Sequence, residues 1–149
     1  MPVMLLRGER RGGVVLHKME ETFDTGDLLL EESFPLAPDA TLADYMAQVE
    51  RLLPDMVRLL LRQLPVLLAS ARAQGEGTFW PCPTRVDWTI TPEMPAARAD
   101  AILRAFYGYE CIYRTEERSF ELIGGRVFQR PGPGTSFPVG GGWICAPRV

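Results

Sequence analysis

The sequence predicts a fold of the α/β or α+β class, because runs that suit β-strands alternate with longer stretches of helical periodicity. Apolar and β-branched runs at residues 14–16 and 28–30 predict two strands. Further short apolar runs, separated by glycine in residues 111–129, predict hairpins. Between these regions, apolar residues recur at intervals of three and four, as on one face of a helix: Leu42, Tyr45, Met46, Val49 and Leu53.

Composition and charge indicate a modest globular protein. A length of 149 residues allows one domain with a real core and leaves no room for two full catalytic domains. With 46% hydrophobic and 23% charged residues, the chain is expected to fold rather than to be disordered. The net charge is -3, and Lys and Arg are divided equally between residues 1–75 and 76–149. No general attraction to nucleic acid is therefore expected.

The three cysteines, Cys82, Cys111 and Cys145, are widely spaced and form no Cys-x-x-Cys pair. No disulfide framework and no metal site are therefore predicted, and reduced thiols indicate a cytoplasmic protein. The longest apolar run, at residues 59–68, is interrupted by polar residues and a proline. It is too short for a membrane span, so no membrane partner is expected.

The segment between the two predicted strands holds the most evident chemistry. Residues 20–27 are rich in turn-forming side chains around Asp24, and Gly26 is free to adopt a positive φ. The only histidine, His17, ends the first strand. An aspartate in such a turn can be a general base when its surroundings tune it. On the pattern alone, Asp24 is more often a turn residue that hydrogen-bonds its own backbone. His17 is more often a histidine packed in a core.

Two helices are predicted after the strands. Asp39 or Thr41 is the candidate N-cap of the first, and Pro54 is the candidate first residue of the second, where its missing N–H costs nothing. Pro65 is expected to kink or restart the second helix. The residues predicted on the buried side of that helix are Met56, Leu59, Leu60, Leu64, Leu67 and Leu68.

A connector and a small C-terminal region complete the chain. Residues 74–95 contain two glycines and four prolines, which excludes a regular helix or a central strand. A short helix is predicted to start around Thr91 to Glu93 and to end at Gly108. The remaining predictions are strands at residues 111–114, 119–123 and 126–129, hairpin turns at 115–118 and 124–125, and at most one more strand at 143–146.

One stretch carries a specific resemblance. In "GVVLHKMEETFDTGDLLLEE", residues 13–32, a strand that ends in His17 leads through an acidic loop to Asp24, Thr25 and Gly26. This succession resembles the folate-dependent formyltransferases, in which a strand histidine precedes an Asp-Thr-Gly or Asp-Gly-Gly turn.

A second stretch, "WPCPTRVDWTITPEMPAARADAILRAF" at residues 80–106, resembles the linker and helix after the catalytic domain of methionyl-tRNA and amino-sugar formyltransferases, through Asp87 and Trp88 and a helix with Arg104. The resemblance implies an α/β fold: the C-terminal part of a Rossmann-like formyltransferase domain, followed by a small β-rich, OB-like subdomain. The implied regions are 1–75 as the C-terminal half of the catalytic domain, 76–92 as linker, and 93–149 as a subdomain of a small helix and β-hairpins.

The resemblance also implies roles for individual residues. In the family an Asn, a His and an Asp surround the formyl group of 10-formyltetrahydrofolate, and Asp24 stands at the position of the aspartate, which organises water and proton transfer. His17 matches a strand histidine that supports this aspartate, and the two are the implied catalytic residues. The implied cofactor-binding residues, with main-chain groups against the pterin ring, are Met19, Glu20, Glu21, Thr22, Phe23 and Asp24.

The other two members of that trio have no counterpart here, since the sequence contains no asparagine and its single histidine is already assigned. The chain is therefore expected to be incomplete or inactive alone. Three explanations stay open: a fragment or mis-started reading frame of an intact enzyme, a short protein that kept only a binding or dimerisation role, and a different enzyme that uses Asp24 with Cys82 or Cys111.

The acceptor implied by the family is an amine on a sugar or on an aminoacyl-tRNA. Residues 76–149 carry eight Lys or Arg against eight Asp or Glu, so their charge does not favour tRNA over a small amine. The expected partners are thus a small-molecule amine or none, with tRNA and a homodimer as further options.

Overall fold

The computed structural model describes residues 2–77 and 80–146, and positions 78 and 79 of the predicted linker lie outside the described residues. The described chain forms three helices and eight strands. The helices are α1 (Pro2–Leu6), α2 (Leu42–Ala69) and α3 (Ala96–Ala105). The strands are β1 (Arg11–His17), β2 (Leu28–Pro35), β3 (Thr89–Ile90), β4 (Glu110–Arg114), β5 (Ser119–Ile123), β6 (Arg126–Phe128), β7 (Ser136–Val139) and β8 (Gly142–Cys145).

The chain divides into two compact units, each built from discontinuous segments. Arg10–Leu36 and Tyr45–Trp80 form the first, here called the ribbon unit. Met1–Glu9, Ala37–Asp44 and Pro81–Val149 form the second, here called the two-sheet unit. The domain boundaries inferred from the family resemblance stay a prediction.

In the ribbon unit, β1 and β2 form an antiparallel pair, which confirms the two strands predicted on either side of the acidic turn. The pairing runs regularly from Arg11 opposite Pro35 and becomes irregular between Leu16 and His17. Tyr45 packs against Phe34, with ring centroids 5.3 Å apart, and its hydroxyl donates a hydrogen bond of 2.8 Å to the Gly13 carbonyl. The first turns of α2 are thereby fixed on the ribbon.

The start of α2 confirms Thr41 as the N-cap. The Thr41 hydroxyl accepts a hydrogen bond from the Asp44 N–H, while the Thr41 N–H donates to the Asp44 carboxylate at 2.8 Å, a reciprocal capping arrangement. The prediction of a second helix at Pro54 is wrong, because α2 runs through this residue. The break occurs at Gln63, with φ of -122°, two residues before Pro65, which confirms the predicted kink.

Much of the predicted buried side of α2 is exposed. Met56 is buried, whereas Leu59, Leu64 and Leu68 are all more than a third exposed, so their predicted burial is wrong. The other two residues of the predicted face, Leu60 and Leu67, are half-buried. In the described residues no helix has both the length and the apolar character needed to cross a membrane.

The two-sheet unit contains two three-stranded sheets. One has the order β3-β4-β5, with β3 parallel to β4, and the other has the order β6-β8-β7. The predicted hairpin at Thr115–Arg118 is confirmed between β4 and β5. The hairpin predicted at Gly124–Gly125 is wrong: these residues, with φ of 77° and 131°, carry the chain from one sheet to the other, where β6 pairs with β8.

The core of this unit contains the largest fully buried side chains, which are Tyr113, Ile90, Ile102, Leu103, Leu122, Ile144 and Cys111. The sequence missed β7, so the tail forms two strands where one was predicted. The helix predicted to start near Thr91 begins instead at Ala96, because the Met94 N–H closes a turn on the Thr91 carbonyl and the Ala96 N–H bonds to Gly140.

Candidate functional site

The loop between β1 and β2 contains the predicted site residues and is closed at its base. The Lys18 N–H donates to the Asp27 carbonyl at 2.9 Å, and the Lys18 ammonium lies 2.9 Å from the Asp27 carboxylate. Both side chains are partly buried. The loop consequently leaves and re-enters the ribbon at one fixed point.

Gly26 makes this closure possible because it has no side chain. Its φ is not positive, so that prediction is wrong. A side-chain Cβ at this position would lie 1.9 Å from the Lys18 carbonyl oxygen, so only glycine fits where the two ends of the loop pass each other. Gln74 donates a hydrogen bond of 2.5 Å to the Gly26 carbonyl. The Thr25 hydroxyl donates to the Thr22 carbonyl at 2.9 Å. Several hydrogen bonds thus define the second half of the loop.

The positive φ falls on Asp24, at 56°, the one non-glycine residue with this conformation among the described residues. Aspartate tolerates the left-handed region better than most side chains, and such a conformation held at a loop tip is common at functional sites. The Asp24 carboxylate is 92% exposed and lies 3.6 Å from Nε2 of His17, whose side chain is 26% exposed. The structure therefore brings together the two predicted catalytic residues.

The hydrogen bonds of His17 define which ring nitrogen can face the aspartate. Its Nδ1 lies 2.7 Å from the Lys18 carbonyl oxygen, which can only accept, so Nδ1 carries a proton. In a neutral ring, Nε2 would then have a lone pair directed at the acceptor-only carboxylate. The 3.6 Å approach to the carboxylate is favourable when the imidazole is protonated, because the two groups then have opposite charges.

The segment predicted to contact the pterin ring is open to solvent. Glu20, Glu21 and Thr22 are exposed. Met19 is 86% exposed and Phe23 is 92% exposed, which is unusual for such large apolar side chains. An apolar ring system bound against this segment would cover them.

The cysteines differ strongly in accessibility. Cys82 is exposed, Cys145 is half-buried and Cys111 is buried. Burial raises the pKa of the Cys111 thiol to about 12, so almost no thiolate is present at neutral pH. This environment does not suit the nucleophile required by an enzyme using Asp24 with Cys111. No group of three or more His, Cys, Asp or Glu side chains suited to a metal ion is found in the described part of the chain.

An apolar cleft in the two-sheet unit was not predicted. Its volume is about 670 Å³, and Trp88, Phe106, Tyr109 and Ile123 are among its lining residues. Trp88 packs edge-on against Phe106 with ring centroids 5.4 Å apart. The run of prolines before Trp88 was the available signal, since it indicated a strap lying over a surface.

Asp87, the other half of the Asp-Trp pair, has a structural role. Its carboxylate accepts hydrogen bonds from the N–H of Thr84 at 2.7 Å and from the Thr84 hydroxyl at 3.0 Å. These donors hold the pKa of Asp87 below its ordinary value. Arg104, in the helix of the same stretch, pairs with Asp100 at 2.9 Å, and Asp100 also accepts from Arg126. Asp87 thus stabilises the turn that begins at Thr84, and Arg104 stabilises α3.

Comparison with known proteins shows which family this chain resembles. No family model matches the chain. A methionyl-tRNA formyltransferase from Idiomarina loihiensis is 31% identical over 101 residues, which cover 66% of this chain and 32% of that protein. Another from Deinococcus radiodurans is 27% identical over 145 residues, covering 94% of this chain and 45% of that protein. The chain is similar to a partial, C-terminal region of the formyltransferase family.

Solved structures agree with this formyltransferase fold. HypX from Aquifex aeolicus superposes with a TM-score of 0.79 at 18% identity, over 96% of this chain and 29% of HypX. The methionyl-tRNA formyltransferase from Clostridium thermocellum superposes with a TM-score of 0.67 at 18% identity, over 83% of this chain and 54% of that one. The chain spans less than half the length of the curated relatives described above.

Proposed function

We propose that this chain carries the proton-transfer aspartate and part of the folate site of an enzyme that moves a formyl group from 10-formyltetrahydrofolate to an amine. The observation that carries the proposal is the closed loop of the ribbon unit, which holds Asp24 in a left-handed conformation beside His17. Support for the cofactor comes from related structures: HypX has been solved with tetrahydrofolic acid, and the sugar 3N-formyltransferase WlaRD with 5-N-formyltetrahydrofolate and dTDP.

The chemistry requires a proton acceptor and donors to an oxyanion. When the amine nitrogen attacks the formyl carbon, the carbonyl oxygen becomes negatively charged and the nitrogen must lose a proton. In this proposal Asp24 accepts that proton, directly or through a water shared with His17. With 10-formyltetrahydrofolate bound, the proton held by Asp24 would be available to N10 when the bond between N10 and the formyl carbon breaks. His17 acts as a positioning residue.

Asp24 and His17 do not supply the hydrogen-bond donors that the oxyanion needs. The sequence has no asparagine and one histidine, which already faces Asp24. We therefore propose that the 149-residue chain does not transfer a formyl group by itself. In the complete enzyme the donors would come from the part of the formyltransferase fold outside this chain.

The loop before Asp24 is proposed to contact the pterin. Its main-chain groups would hydrogen-bond the ring, while the exposed side chains of Met19 and Phe23 would cover its faces. Burial of two such side chains on binding is favourable because each removes apolar surface from water.

The acceptor is proposed to be an amino sugar or another small amine, with aminoacyl-tRNA as the alternative. The balance of eight basic and eight acidic residues in 76–149 favours the small amine. The similarity to methionyl-tRNA formyltransferases favours aminoacyl-tRNA. We also propose that the first part of the chain is Rossmann-like and the second OB-like. The same proposal includes a cytoplasmic location and a homodimer.

Titration calorimetry with 5-formyltetrahydrofolate tests the cofactor proposal. The chain is expected to release or absorb heat on binding, and Asp24→Asn is expected to weaken binding several-fold. Asparagine is chosen because it also tolerates a positive φ, so the loop conformation is retained. Asp39→Asn, a change at another exposed aspartate, serves as the control and should leave binding unchanged.

Two results would contradict this proposal. Absence of any binding at millimolar folate would remove the cofactor role of the loop. Formyl transfer by the chain alone, in an assay with a panel of amino sugars and other amines, would show that the missing Asn and His are not required.

A further inference from the structure

The apolar cleft of the two-sheet unit combines aromatic walls with a single carboxylate. Its volume of about 670 Å³ falls within the range of small-molecule sites, which usually pair apolar walls with a few orienting polar groups. Among the described residues that line it, Glu110 is the only one with a charged side chain. The lining residues include Cys82, Trp88, Phe106, Tyr109, Glu110 and Ile123.

The aromatic wall of this cleft is fixed to the core of the unit. Trp88 packs edge-on against Phe106, and the Trp88 carbonyl accepts a hydrogen bond of 3.0 Å from the Ile112 N–H. Phe106 is buried, and its carbonyl accepts from the Tyr109 N–H at 2.9 Å in the turn after α3. The Tyr109 side chain is 64% exposed. Two of the rings are therefore held in place by the fold, and the third is accessible to a ligand.

Glu110 places a carboxylate beside these rings. It begins β4 and lies opposite Ile123 of β5, so the two side chains project from the same face of the sheet. Both residues line the cleft. In the part of the chain that the structure describes, every ion pair involves another carboxylate. The Glu110 carboxylate is therefore available to a ligand of positive charge.

We propose that this cleft binds an organic ammonium ion with an aromatic or branched apolar body. Aromatic faces attract cations through the quadrupole of the ring, and the Glu110 carboxylate adds an opposite charge. Contact with Phe106 and Ile123 would remove the apolar body from water. An organic anion would meet a like charge at the same place. The inference does not rest on the proposed formyl transfer, since its residues belong to the two-sheet unit and the site loop belongs to the ribbon unit.

Three probes of matched shape test the charge preference on the full 149-residue chain. They are phenylethylammonium, phenylethanol and phenylpropanoate, which differ in the group at the end of the same short chain. Titration calorimetry at low ionic strength is expected to give a Kd at or below about 1 mM for the ammonium. The alcohol should bind about threefold to tenfold more weakly, because it lacks the charge, and the carboxylate more weakly still.

Paired variants identify the source of the preference. Glu110→Gln keeps the shape of an exposed side chain and removes its charge, so the fold should be retained, which circular dichroism checks. It should narrow the preference for the ammonium over the alcohol to about twofold or less and leave binding of the alcohol unchanged. Glu117→Gln is the matched control: it removes the same charge at an exposed glutamate in the hairpin between β4 and β5, and the preference should stay as in the wild type.

Cys82 reports where the probe binds. It is exposed and lines the cleft, whereas Cys145 is half-buried and does not line it. Saturating phenylethylammonium should slow alkylation of Cys82 by iodoacetamide at least about threefold, because the reaction requires access to the thiolate. Alkylation of Cys145 should be unchanged. Mass spectrometry of the digested protein measures both rates.

Three outcomes would overturn the proposal. The first is absence of ammonium binding at about 10 mM. The second is equal affinity for the three probes, which would make the cleft apolar without a preference for cations. The third is binding that leaves the alkylation of Cys82 unchanged, which would place the probe elsewhere. None of these outcomes involves folate, so failure of this proposal is distinguishable from failure of the cofactor proposal.

Discussion

The two-sheet unit and the ribbon unit differ in how much of their apolar surface they cover. All the largest fully buried side chains, such as Leu122 and Ile144, belong to the two-sheet unit. In the ribbon unit the buried apolar residues are few, among them Phe34, Tyr45 and Met56. Most of the large exposed apolar residues of the described chain also lie in the ribbon unit.

This difference concerns how much of each unit is stabilised by its own described residues. The two-sheet unit has a core of its own, as expected for a structure that is stable without further contacts. The ribbon unit has a loop with a fixed base, but among the described residues α2 has several exposed apolar side chains and β1 pairs with β2 alone. The proposed site residues thus lie in the unit with fewer buried apolar side chains.

The largest expected effect is loss of core packing in the two-sheet unit. Leu122→Ala should lower the free energy of unfolding by about 2–5 kcal/mol, because it leaves a cavity in a fully buried site. Leu61→Ala in the ribbon unit should change it by less than about 0.5 kcal/mol, since that side chain is largely in water. Urea denaturation followed by circular dichroism measures both, and equal losses would show that Leu61 is covered in solution.

A smaller effect is expected at the base of the site loop. Gly26→Ala should destabilise the ribbon unit by about 1–3 kcal/mol, because the added methyl group cannot fit against the Lys18 carbonyl oxygen. Gly77→Ala, in the same unit, is the control, because a methyl group added there would meet no other atom within 4 Å. Hydrogen exchange of the Lys18 amide should accelerate in the first variant alone. Unchanged exchange would mean that the base of the loop is open in solution.

The smallest effect concerns the cap of α2. Thr41→Ala should cost about 1 kcal/mol of stability, because it removes the hydroxyl that accepts from the Asp44 N–H. Asp39→Ala, at the rejected N-cap candidate, should cost nothing measurable. Thermal unfolding at neutral pH compares the two variants. Equal losses would contradict the assignment of the cap.

This cap should also depend on pH. Hydrogen bonds from the Thr41 N–H and hydroxyl lower the pKa of Asp44 below 3.8, its ordinary value. Because the folded-state pKa is the lower one, the stabilisation is fully present above pH 3.8 and is lost as the pH falls through the folded-state pKa. The difference between wild type and Thr41→Ala should accordingly narrow in acid, and a difference that widened would refute this account.

The sequence by itself determined the features that depend on near neighbours along the chain. The strands around the acidic turn, the hairpin at Thr115–Arg118 and the kink near Pro65 follow from backbone preferences and alternation within a few residues. The N-cap was limited to two candidates by the same local rules. The placement of Asp24 beside His17 needed only a short loop between two paired strands.

Only the tertiary structure decided features that depend on distant residues. Gly124–Gly125 has the composition of a hairpin turn, yet β6 pairs with β8 because that partner completes the second sheet. Gly26 is required by the approach of Lys18, which the turn pattern did not reveal. Periodicity predicted the apolar face of α2, but which part of that face is buried depends on what packs against it. Burial is a property of the whole packed chain, and a local pattern cannot specify it.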